Sequence, residues 1–207
     1  EEKRPGEYLP VEEDDRGTYI FNSKDLCMIE HIPDMIDAGI NSFKVEGRMK
    51  TALYVAVVTR TYREAIDDYF TSKELYESKL EHYRQEIAAC TFRQFTTGFY
   101  YCKPNEETQI YDCKTYVKNR VYLGTVEAVM EDGSFVIHQK NKFCVGDAIE
   151  VMAFDGENID VEVLAIRDEH GTEMESAPHP KQLLYVKVSH PEKIQKGMII
   201  RTRHCEA

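Results

Sequence analysis

The chain has no C-x-x-C pair, no H-E-x-x-H, no G-x-S-x-G and no apolar run near the ~18 residues of a membrane span. Without C-x-x-C, zinc-finger and thioredoxin spacings are absent. The six cysteines, at 27, 90, 102, 113, 144 and 205, are few for a disulfide scaffold of 207 residues. They read as scattered reduced thiols of a cytosolic protein. The missing hydrolase motifs remove the zinc-protease helix and the nucleophile elbow. The 7 His show no metal-ligand spacing with a carboxylate. Basic residues are scarce too: 26 Lys and Arg against 37 Asp and Glu, a net charge of −11. That balance argues against broad electrostatic capture of nucleic acid, though not against a local basic pocket. The chain starts at Glu1 with neither a Met nor a secretory segment, so a piece of a longer protein is the expectation.

What is present begins with 42% hydrophobic residues, including 13 Tyr and 9 Phe, enough to fill one large domain or two small ones. The organising stretch is Ile40 to Tyr69. Ser42 to Val45 alternates polar and apolar residues, which predicts a strand over 42–46. Gly47 suits a sharp turn at positive φ, and Glu46, Arg48 and Lys50 cluster around it. A helix over 51–70 follows, with Val55, Val58, Tyr62, Ala65, Ile66 and Tyr69 on one face. Charged groups at a strand end before a helix stand where α/β barrels and open α/β sheets place their chemistry. The alternative is a solvated βα loop.

Residues 1–17 are acidic and polar and read as a loop or linker. Thr18 to Phe21 predicts a strand. Asn22 or Ser23 can cap a helical segment over 24–38, which restarts after Pro33 and stops at Gly39. Strands at 18–21 and 42–46 around a helical segment imply a βαβ unit with parallel pairing, as the tail of a larger α/β domain. Thr71 and Glu74 match a capping box, with a second helix to about Ala89. Phe92 to Tyr101 is aromatic and β-prone. From about Ile110 the pattern changes. Short apolar stretches at 116–122, 124–130, 135–139, 148–154, 161–166, 183–188 and 198–203 are separated by turn signals at 131–133, 145–147, 155–156 and 196–198. That spacing predicts a small antiparallel β-barrel with a long polar loop over 170–180. The expected divisions are 1–17, 18–90 and 91–207. Residues 108–207 hold 12 basic and 16 acidic side chains, so the barrel is no basic RNA-binding module by charge.

Several motifs together resemble a known family. Asn22-Ser-Lys-Asp-Leu-Cys27, Ile36-Asp-Ala-Gly39, Phe43-Lys-Val-Glu-Gly-Arg48, Tyr54-Val-Ala56, Tyr62-Arg63 and Ala65-Ile-Asp67 resemble the collagenase-like peptidase family of unassigned catalytic type. Phe95-Thr-Thr-Gly98 with Lys103-Pro104, and then a barrel, resemble the C-terminal extension of its longer bacterial members. The resemblance implies an α/β + β fold: the last βα portion of a truncated TIM-like barrel, a helical linker, and a β-barrel similar to domain two of elongation factors. It implies two activities, hydroxylation of RNA (a transfer-RNA uridine or a ribosomal-RNA cytidine) and the peptidase activity of the family name. With the first come prephenate as hydroxyl donor, a partner subunit of the same family and a 4Fe-4S cluster on four cysteines.

By the same resemblance Cys27 matches the last cluster ligand, the other three lying before Glu1. A thiolate near a helix start is physically plausible there. The alternative is a buried apolar cysteine between Leu26 and Met28. Cys90, Cys102 and Cys113 follow no ligand spacing, and Cys102 stands where relatives often show Gly. Lys44, Glu46 and Arg48 match the strand-end motif and are the candidate catalytic residues. Arg48 could clamp a carboxylate or phosphate, with Glu46 orienting it or acting as a base. The alternative is a structural Glu46–Arg48 pair. Three functions compete: RNA hydroxylation, peptidase action, and a non-catalytic RNA- or partner-binding module. The full-length parent is expected to be an enzyme and this chain alone inactive, cytoplasmic and outside the membrane.

Overall fold

The computed structural model describes residues 5, 6, 8, 11–15, 17–20, 23–103, 105, 108, 110 and 117–203. Thr18–Phe21, Asn22, Cys113 and the 1–17 stretch lie partly or wholly outside them. In chain order the elements are β1 (Val11–Asp14), β2 (Gly17–Ile20), β3 (Asp25–Leu26), a 3-10 turn (Ile29–His31), α1 (Ile32–Asp37), α2 (Ala52–Thr71), α3 (Lys73–Ser78) and α4 (Leu80–Ile87). Short strands β4 (Thr91–Phe92), β5 (Phe95–Thr96) and β6 (Val117–Lys118) follow. The remaining strands are β7 (Tyr122–Val129), β8 (Phe135–His138), β9 (Ala148–Met152), β10 (Ile159–Asp168), β11 (Glu173–Met174), β12 (Leu183–Val188) and β13 (Ile199–Thr202).

Two compact units emerge: residues 1–40 with 91–117, and residues 41–90 with 118–207. This division departs from the expected 18–90 and 91–207. The helices after residue 41 group with the barrel, not with the residues before them.

In the first unit, β1 and β2 form an antiparallel hairpin, with Val11 opposite Ile20. The strand expected at 18–21 is therefore present over 17–20, but its partner is the acidic stretch read as a loop. Parallel pairing does occur, between β3 and β5: Asp25 opposite Phe95 and Leu26 opposite Thr96. The Arg93 amide and guanidinium bond both oxygens of Asp25 at 3.0 and 3.1 Å, fixing that register. The helical segment expected over 24–38 shrinks to the 3-10 turn and α1, with Pro33 in the first turn of α1, where a missing N–H costs nothing.

In the second unit, β10, β12, β8, β7, β13 and β9 pair in that order, and β9 returns to β10. The six antiparallel strands therefore close into a barrel, which leaves no free edge among them. Its interior holds Leu123, Val126, Phe135, Ile137, Ile149, Val151, Val163, Ile166, Leu184 and Val186, all nearly excluded from solvent. Along β10 burial alternates from Ile159 to Leu164 and then slips by one residue at the irregularity between Val163 and Ala165, which leaves Ile166 buried in the core. The turn glycines Gly146 and Gly197 sit at φ +88° and +92°, left-handed backbone that side chains rarely tolerate. The polar loop expected over 170–180 contains β11, which pairs with β10 at its outer edge.

Helix α2 starts one residue later than expected. Its Thr51 cap accepts the Tyr54 amide at 3.2 Å. Its buried face is Leu53, Val57, Val58, Thr61 and Ala65, while Val55, expected on that face, is exposed. The expected capping box at Thr71 does not form. Ser72 accepts the Leu75 amide at 3.0 Å, and the Thr71 hydroxyl donates back to Asp67 at 2.9 Å. Lys79 interrupts the second helix, separating α3 from α4. Its ammonium reaches Asp68 at 2.8 Å and Glu64 at 3.2 Å. The Tyr83 hydroxyl donates to Asp68 at 2.6 Å.

A buried charge network ties these helices to the barrel. Arg201, on β13, has no solvent exposure. Its guanidinium donates to Glu86 of α4 at 2.9 and 3.2 Å and to Glu150 of β9. Arg60 of α2 donates to Glu86 and to the Ala153 carbonyl, each at 2.8 Å, and to Asn158 at 2.7 Å. Burial pushes the Glu86 pKa up, but Arg201 and Arg60 outweigh it, and the net result lies below the ordinary carboxylate value. Because the folded-state pKa is the lower one, the stabilisation is complete above the ordinary pKa of about 4.3 and is lost as pH falls through the folded value. We expect the urea midpoint of this unit to drop between pH 5 and pH 3, and Glu86→Gln to flatten that drop. An unchanged slope in Glu86→Gln would assign the acid limb to other carboxylates.

Candidate functional site

Lys44, Glu46 and Arg48 stand at steps of two on the segment leading into α2. Phe43, Val45 and Gly47 are half-buried, and Ser42, Lys44, Glu46 and Arg48 are exposed. That alternation is the one expected of an extended strand. The strand itself is not formed: among the described residues, 41–47 pair with no other strand. A strand needs a neighbour for its N–H and C=O groups, and the local pattern does not supply one.

The turn is built differently from expectation. Gly47 is not at positive φ. What demands glycine is space: a Cβ there would lie 2.7 Å from Cγ2 of Val55 on α2. A Glu46 carboxylate oxygen accepts the Arg48 backbone amide at 2.8 Å, and the Lys50 amide donates to the Gly47 carbonyl at 2.9 Å. The Lys50 ammonium lies 5.0 Å from the Tyr54 ring centroid. Glu46 thus closes the turn through the backbone of Arg48, and no side-chain ion pair joins the two among the described residues. The exposed Arg48 guanidinium and Lys44 ammonium are left facing solvent on one extended segment. They can receive an anionic group, with the Arg48 fork suited to a planar carboxylate or a phosphate.

Cys27 belongs to the other unit. It is half-buried, directly after β3, and its amide donates to the Thr96 carbonyl at 2.9 Å. Met28 and Ile29 beyond it are buried. The three-residue 3-10 turn that follows is too short to provide the helix dipole invoked from the sequence. A half-exposed thiol on a strand-end loop fits a cluster ligand, and it is one ligand only. Among the described residues, no group of three or more His, Cys, Asp or Glu is placed to hold a metal. Cys90 is buried and its thiol contacts the Ile87 carbonyl, as the apolar reading of the other cysteines expects; Cys102 is exposed.

One constellation is not legible in the sequence. The Tyr101 hydroxyl lies 2.7 Å from Nδ1 of His31 and also donates to Asp34. The His31 and Tyr101 ring centroids are 4.6 Å apart. Tyr101 is separated from the other two by some 70 residues, so no spacing motif reveals it; only the β3–β5 pairing does.

One unit is a closed antiparallel barrel carrying helices, with a cationic turn leading into α2; the other holds a strand-end cysteine; and the sequence has neither H-E-x-x-H nor G-x-S-x-G. Family profiles name the family. "Peptidase family U32" matches residues 1–110, and "Peptidase family U32 C-terminal domain" matches residues 118–201. The chain belongs to peptidase family U32. It is 32% identical over 202 residues to "tRNA hydroxylation protein P" of Escherichia coli, covering 97% of this chain and 44% of the relative. It is 35% identical over 171 residues to "tRNA hydroxylation protein P1" of Bacillus subtilis, covering 82% of this chain and 40% of the relative. Among solved structures, the C-terminal domain of a protein described as a U32 peptidase of Geobacillus thermoleovorans is 28% identical with a TM-score of 0.36. That match covers 40% of this chain and 99% of the solved domain. The chain spans about two fifths of the length of the curated relatives named here.

Proposed function

We propose that this chain is part of a protein that hydroxylates transfer RNA. The observation that carries the reading is its similarity, over 97% of its length, to a relative named for tRNA hydroxylation. In the full-length parent, residues 18–90 would contribute the last βα portion of a TIM-like barrel. The unpaired alternation over 41–47 supports this. Lys44 and Arg48 would bind an anionic group of the RNA or of a carboxylate co-substrate such as prephenate, with Glu46 holding the turn.

Cys27 would give one of four thiolates to a 4Fe-4S cluster, which supplies one-electron redox chemistry when bound. The barrel, similar in architecture to domain two of elongation factors, would help to hold RNA or a partner subunit of the same family. Its acidic balance points to shape and local contacts over bulk charge. The setting would be the cytoplasm; among the described residues no helix is long and apolar enough to cross a membrane. The family name favours peptidase action as a second reading.

The test is nucleoside mass spectrometry of transfer and ribosomal RNA from cells with and without the parent gene. A hydroxylated pyrimidine should vanish with the gene, return with it, and fail to return with Cys27→Ala or Arg48→Ala. An unchanged profile would remove the RNA reading and turn attention to proteolysis by the full-length parent.

A further inference from the structure

We infer that His31 is a proton acceptor whose Nε2 takes the proton of a hydroxyl-bearing substrate, or of water, bound in the unit that holds Cys27. The geometry fixes the direction of the hydrogen-bond chain. Asp34, when ionised, only accepts, so the Tyr101 hydroxyl donates to it. The Tyr101 oxygen then has only lone pairs left for Nδ1 of His31, 2.7 Å away. Nδ1 must therefore be the protonated nitrogen. The hydrogen bond to Asp34 pushes the Tyr101 pKa up to about 12, so the hydroxyl keeps its proton near neutral pH.

In neutral His31 the remaining nitrogen, Nε2, carries the lone pair. Second-partner hydrogen bonds of this kind orient the working imidazole of acid–base and metal sites. His31 is partly exposed, at 31% of its side chain. It closes the 3-10 turn that begins two residues after Cys27, and its own amide donates to the Met28 carbonyl at 3.0 Å. In the transfer, the substrate O–H bond breaks, its electron pair stays on oxygen, and an Nε2–H bond forms. The imidazolium charge is balanced by Asp34, 3.4 Å from Nδ1.

The inference rests on the reading of Cys27 as part of the reaction site, and its test separates the two. In the 207-residue chain labelled with 15N-histidine, neutral His31 should show a protonated Nδ1 and a bare Nε2. Tyr101→Phe should shift it toward the Nε2–H tautomer. In the full-length parent, His31→Gln should lose roughly a hundredfold of RNA hydroxylation at unchanged iron content. Tyr101→Phe, the variant to use if His31→Gln does not fold, should lose roughly tenfold, the scale of one hydrogen bond. A wild-type His31 protonated on Nε2, or full activity in either variant, overturns the role while leaving the tRNA reading in place. A wild-type parent that hydroxylates no RNA removes that reading and the role together, whatever the tautomer.

Discussion

Arg201→Ala should cost about 3–5 kcal/mol of folding stability, because it leaves two carboxylates buried without their shared cation. Glu86 and Glu150 both bond the Arg201 guanidinium, and Arg201 itself has no exposure through which water could take its place. Arg60 would still hold Glu86 at 2.8 Å. Arg120, 3.9 Å from Glu150, and the Asn158 amide at 3.1 Å would hold Glu150 weakly. Each kcal/mol corresponds to roughly 2–4 °C in a chain of this size, so the midpoint should fall by about 6–20 °C. Thermal unfolding followed by circular dichroism reads this directly. A loss under about 1 kcal/mol would mean that Glu86 and Glu150 relax to solvent and that the network does not anchor the helices. The network's other consequence lies in the candidate site. Arg60 sits on α2, whose first turn adjoins Lys44–Arg48, so loosening the network should also raise hydrogen exchange in α2.

Phe135→Ala should cost about 3–5 kcal/mol, comparable to losing Arg201 and for a different reason. Phe135 is fully buried inside the barrel, opposite Val186 on β12 and Val129 on β7. A closed barrel cannot collapse around a missing ring without breaking a strand pairing, so most of the void should persist. The urea midpoint should fall with the slope unchanged, since the surface exposed on unfolding is nearly the same. A cost under about 1.5 kcal/mol would show that neighbouring strands close the void, and hence that the barrel is less rigid than its six-strand closure implies.

Local patterns carried much of the architecture. The period of apolar residues places α2 to within a residue. The apolar stretches between Gly and Asx turns place the barrel strands, because alternation and turn chemistry are properties of adjacent residues. The candidate residues Lys44, Glu46, Arg48 and Cys27 were legible as a motif. Their physical setting was not. The carboxylate of Glu46 goes to a backbone amide, and the choice of glycine at 47 depends on Val55, eight residues away on α2. Ser72 displaces Thr71 as the α3 cap, a one-residue shift that the sequence, offering both hydroxyls, could not decide.

The sequence by itself determined a long helix after a charged turn, an antiparallel barrel toward its C-terminal end, and membership in a recognisable family. Only the tertiary structure decided who pairs with whom. β3 takes β5 as its parallel neighbour across 70 residues, and β2 takes the acidic β1. Arg201 alternates with the interior Ile200 on β13, so it faces out of the barrel beside Glu150 and is buried because α4 brings Glu86 over that face. His31, Asp34 and Tyr101 meet through the β3–β5 pairing. A side chain's period is written in its neighbours, whereas its partner is set by the global packing that satisfies every strand edge and buried charge at once.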